Sequence, residues 1–90
     1  MLSAAVRARV DREPALAAKL REVDEFLRRP LEFREESLPG AAIGGADYEA
    51  GLVRLAPGAT DNLEVVGEEI MHFHRRAMRF PIVRPVKVRA

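Results

Sequence analysis

The sequence has no cysteine and no tryptophan, a single tyrosine, Tyr48, and only two serines, Ser3 and Ser37. Without thiols there is no disulfide framework and no thiolate metal site. Neither serine sits in the strand–turn–helix setting of a nucleophile elbow. One tyrosine and no tryptophan give no stacking platform for single-stranded nucleic acid. No apolar run approaches the roughly 18 residues of a membrane span, and Met1–Val10 carries Arg7 and Arg9 without a long apolar stretch. A cytoplasmic protein is expected. The phosphate-cradling G-x-x-x-x-G-K-[ST] loop is missing, and Gly44-Gly45 lacks the dinucleotide fingerprint, so that pair reads as a turn or bulge.

What is present fits one small domain. The chain has 90 residues, 48% hydrophobic and 32% charged, a composition of globular rather than disordered chains. Net charge is +1, but it is unevenly spread. Residues 1–69 carry a net −5, whereas residues 70–90 hold Arg75, Arg76, Arg79, Arg84, Lys87 and Arg89 and no acid. A basic tail can meet an anionic partner, yet six charges over 21 residues are sparse for a nucleic-acid arm. Folding back onto acidic surface of the same or a sister chain is the simpler expectation.

Hydrophobic spacing divides the chain into a helical segment over 1–29, a small sheet over 31–56, a helix over 60–79 and an extended basic tail over 80–90. Leu2, Val6 and Val10 recur at helical spacing, and Leu16, Leu20, Val23 and Leu27 repeat it after Pro14, with Phe26 widening the stripe. Pro30 closes that second helix. Leu31 and Phe33 alternate with Glu32 and Arg34 as in a half-buried strand. Residues 41–46 and Leu52–Leu55 are expected to pair through a turn over 47–50. Thr60 or Asp61 is expected to cap the last helix, whose stripe is Leu63, Val66, Ile70, Phe73 and Ala77. The predicted fold class is α+β: N-terminal helices, a small antiparallel sheet of two to three strands, and a C-terminal amphipathic helix packed on it. The apolar tail residues predict a homodimer through an extended C-terminal segment.

One stretch carries a chemical pattern: Gly67-Glu68-Glu69-Ile70-Met71-His72-Phe73-His74. At about 100° per residue, Glu68, Glu69 and His72 share one arc beside the core stripe, while His74 lies on its far side. Glu68 and His72, one turn apart, are candidate ligands for zinc or a harder divalent ion. The same residues also read as a solvated helix face, with Glu68–His72, Glu68–Arg75 and Glu69–Arg76 as acidic-first pairs worth a few tenths of a kcal/mol each. Flanked by Met71 and Phe73, His74 suits a packed or interface position better than a ligand. Met71 and Met78 would widen the core or form an adaptable contact surface.

The order helix, strand, glycine-rich turn, strand, helix, with Gly44-Gly45-Ala46-Asp47-Tyr48 and Gly51-Leu52-Val53-Arg54-Leu55 ahead of Glu68-Glu69-Ile70-Met71-His72, resembles the small zincin metallopeptidases of the ImmA/IrrE type over about residues 14–76. The resemblance implies a helix bearing His-Glu-x-x-His, in which two histidines bind zinc and the glutamate activates water. Carried over, Glu69 takes the place of the general base and His72 that of the second histidine ligand. Glu68 stands where the first histidine belongs. Downstream of His74 there is no Asp, Glu or His to serve as third ligand, which leaves Asp47, Glu49 or Asp61 upstream. The expected function is therefore a zincin-like domain without peptidase activity that acts as an interaction or scaffold module with a protein partner. The alternatives are a metal-dependent hydrolase with Glu69 as base and Arg75 or Arg76 as anion contact, and nucleic-acid binding through the basic tail.

Overall fold

The structure, a computed structural model, describes the backbone over residues 2–89 and the side chains over residues 2–79. Helices α1 (Leu2–Val10) and α2 (Pro14–Leu27) precede strands β1 (Glu32–Glu35), β2 (Gly44–Asp47) and β3 (Leu52–Leu55), and α3 (Leu63–Arg89) follows. This is an α+β arrangement, with α3 packed on the sheet and against α2.

Local chemistry accounts for most boundaries. Pro14 opens α2 at a position where its missing N–H costs no intrahelical bond. The helix closes at Arg28 in the left-handed region (φ 62°), with the Arg28 and Arg29 amides donating to the carbonyls of Glu25 and Asp24. Asn62, rather than Thr60 or Asp61, caps α3: its Oδ1 accepts the Glu64 and Val65 amides at 3.0 and 3.3 Å. Gly51, at φ 66°, closes the turn between β2 and β3, and Asp47 Oδ1 accepts the Ala50 amide there at 3.1 Å.

The sheet order is β1-β3-β2, with β2 antiparallel and β1 parallel to β3. The sheet is thus mixed, where a wholly antiparallel one was expected. Residues 36–43 carry the chain past the central slot, and the tight β2–β3 turn then brings β3 back into it. Two reversals leave β3 pointing the same way as β1.

Alternation assigns the faces. Phe33, Val53, Leu55 and Ala46 face the helices, whereas Glu32, Arg34, Arg54 and Asp47 lie on the other side, where Arg54 pairs with Glu36 at 3.2 Å and Asp47 at 3.4 Å. The core joins Val6 and Val10 of α1, Ala17, Leu20 and Val23 of α2, Leu31, and Val66, Ile70 and Phe73 of α3. Half-buried Asp24 and Arg7 tie three elements together. The two are ion-paired, Arg7 donates to the Leu31 carbonyl at 3.1 Å, and Asp24 accepts the Leu31 amide at 2.8 Å.

Helical backbone continues through Pro81 and Pro85 to Arg89, the stretch expected to leave the helix before Pro81 and run extended. The fixed φ of proline is compatible with a helix, and each ring deprives one carbonyl four residues earlier of its donor. The side chains through which the homodimer was expected, those of residues 80–88, lie outside the described residues. Among the described residues no helix is long and apolar enough to cross a membrane.

Candidate functional site

The two sheet edges differ. On the outer side of β1, Ser3 Oγ donates to the Phe33 carbonyl at 3.1 Å and accepts the Phe33 amide at 2.9 Å, so α1 serves that edge at Phe33. On β2 the Ala56 amide donates to the Ile43 carbonyl at 3.0 Å. With Gly44 opposite Leu55 and Ala46 opposite Val53, alternation makes 43–56, 45–54 and 47–52 the hydrogen-bonded pairs. The N–H and C=O groups of Gly44 and Ala46 therefore point away from β3, along an edge with no partner strand among the described residues. Ile43, 54% exposed, stands at its start.

Helix α3 runs beside this edge in the same direction as β2. Val65 and Glu69 meet Gly44, and one or two turns on Phe73 and Arg76 meet Tyr48, which directly follows β2. A Cβ at Gly44 would lie 3.0 Å from Val65 Cγ1 and 3.1 Å from Glu69 Oε2, so the missing side chain is what lets the carboxylate in. Glu69 is consequently the one buried charged residue among those described, 8% exposed. Burial pushes its carboxyl above the ordinary glutamate range. The neighbouring His72, by charge and hydrogen bonding, pulls it down, and the charge of Glu68 adds to the rise. His72 Nδ1 lies 3.7 Å from Glu69 Oε1.

The sequence-derived candidates separate on this frame. Glu69 turns inward and is joined by His72, itself half in solvent. Glu68 is exposed. Among the described residues no three His, Asp or Glu side chains come together to hold an ion, so Asp47, Glu49 and Asp61 do not complete a set with Glu68 and His72. This donor set does not fit a zinc centre with three protein ligands. His74 serves the fold: its Nε2 lies 2.5 Å from Glu22 Oε1 and links α3 to α2. Met78 remains 43% exposed.

Arg75 and Arg76 do converge with His72. Together with Arg79 and Tyr48 they line an open cleft of about 200 Å³ just beyond the end of β2. Arg76 lies over the Tyr48 ring at 4.6 Å from its centroid, and Tyr48 meets Phe73 edge to face with centroids 4.9 Å apart.

The chain matches no family model, no curated protein and no solved structure.

Tyr48, Arg79, Gly44 and the open edge are absent from the sequence-derived site. Tyr48 carried one signal, as the lone tyrosine at a strand end. The edge carried none, because strand order is not written in four-residue segments.

Proposed function

We propose that this chain is a zincin-like interaction module without peptidase activity that captures an extended segment of a protein partner along the open edge of β2. The observation behind this reading is the contrast between the edges: Ser3 serves the outward groups of Phe33 on β1, while the outward amides and carbonyls of Gly44 and Ala46 are left unpaired among the described residues. Open edges invite strand addition, in which main-chain hydrogen bonds supply affinity. Exposed Ile43 offers an apolar contact at one end. The layout of a carboxylate and an imidazole on a helix beside an edge strand supports the zincin-like comparison, and the incomplete donor set supports the lack of peptidase activity.

Incubation of the chain with a library of extended peptides tests this reading. Retention of intact peptides, with amide shifts at Gly44 and Ala46, is expected. Cleaved peptides, or binding that leaves both amides unmoved, would contradict it.

A second reading, metal-assisted hydrolysis with Glu69 as general base, is favoured by the enclosure that raises the proton affinity of that carboxyl. It requires a donor beyond Glu68 and His72. Metal retained through purification, together with peptide cleavage that is lost in Glu69→Gln, would favour it over capture alone.

A further inference from the structure

The cleft past the end of β2 carries charge that the fold does not use. Arg75 and Arg79 are exposed and have no acidic partner among the described residues, and the sequence contains no Asp or Glu after Glu69 to supply one. The Arg76 guanidinium lies over the Tyr48 ring. His72 adds a ring nitrogen to the same wall.

We infer that this cleft selects the partner: it seats an acidic side chain of the extended peptide lying on β2, so the module prefers acidic segments. The inference rests on the strand-capture reading and adds the chemistry of the captured segment. Position carries it, because Tyr48 follows Asp47 directly and a strand paired to Gly44 and Ala46 passes the cleft as it leaves the edge. Size agrees, since about 200 Å³ holds one or two carboxylate side chains and no folded element.

Charge complementarity alone would also admit a nucleic acid. The surroundings favour a peptide. The Tyr48 face is covered by Arg76 and its ring edge meets Phe73, so no stacking surface is offered to a base. The strand edge presents amides and carbonyls in the alternation of another strand, which a sugar-phosphate chain cannot match.

The test is fluorescence anisotropy of the full chain with four labelled probes. The first is a nine-residue Thr/Val peptide ending in three glutamates, and the second carries glutamines in their place. The third is the glutamate peptide N-methylated at alternate residues, and the fourth is a single-stranded oligonucleotide. The glutamate peptide is expected to bind at least about tenfold more tightly than the glutamine peptide. That preference should vanish in the exposed double variant Arg75→Gln/Arg79→Gln, with the glutamine peptide unaffected. N-methylation should abolish binding. Equal affinity for glutamate and glutamine peptides, or a preference that survives the double variant, overturns acid selection and leaves strand capture standing. Acid-selective binding that tolerates N-methylation overturns strand capture and leaves the cleft as a carboxylate site. Tighter binding of the oligonucleotide, or no binding of any peptide, overturns both.

Discussion

Glu69 concentrates the chemistry of this chain into one side chain. On the helix it sits at the border of the core stripe, and its inward placement depends on Gly44, whose lack of a Cβ makes room. A carboxyl with raised native proton affinity binds its proton more readily in the folded than in the unfolded state. Its contribution to stability is therefore fullest below the ordinary glutamate range and declines as pH rises through that range to the raised native value. Glu69→Gln keeps the shape and removes the ionisation, so the variant is expected to match the parent in acid. Above that window it should gain on the order of 1 kcal/mol, or several degrees in Tm. Thermal melts across pH check this. A variant less stable than the parent at neutral pH would mean that the His72 contact outweighs desolvation.

The elements were largely legible before the structure, and the reasons are local. The stripes of α1 and α2 and the segment Leu52–Leu55, bounded by Gly51 and Pro57-Gly58, are each specified by neighbours within a few residues. What was hidden depends on distant partners. Alternation at Leu31 and Phe33 says which side chains turn inward, but not that β1 would lie parallel to β3. Spacing put Glu68, Glu69 and His72 on one arc, yet could not say that a glycine opposite would draw in Glu69 alone. The proline rule that stops helices did not hold at Pro81, where helical backbone continues to Arg89. At the end of α2, Arg28 is the one non-glycine residue with positive φ among those described. Replacement by glycine relieves that conformation, and Arg28→Gly is expected to raise stability by about 0.5–1 kcal/mol in chemical denaturation. A loss would mean that the arginine side chain contributes more than its backbone costs.

At the scale of the molecule, the organising feature is a sheet whose β1 edge is served by Ser3 at Phe33 and whose β2 edge is open at Gly44 and Ala46. Ser3 serves both polar groups of Phe33, so Ser3→Ala is expected to cost about 1–2 kcal/mol and to leave that edge wet. Urea melts measure the cost. Opposite it, Gly44, Ala46, Ile43 and Tyr48 line the side along which α3 carries Glu69, His72 and the arginines, which places the outward strand groups and the unpaired Arg75 and Arg79 in one region. Amide hydrogen exchange tests this asymmetry most directly. The Phe33 amide is expected to be protected in the free chain, while those of Gly44 and Ala46 exchange fast and become protected only when an extended peptide is added. Protection of Gly44 and Ala46 in the free chain, or fast exchange there in the presence of every peptide tried, would contradict it.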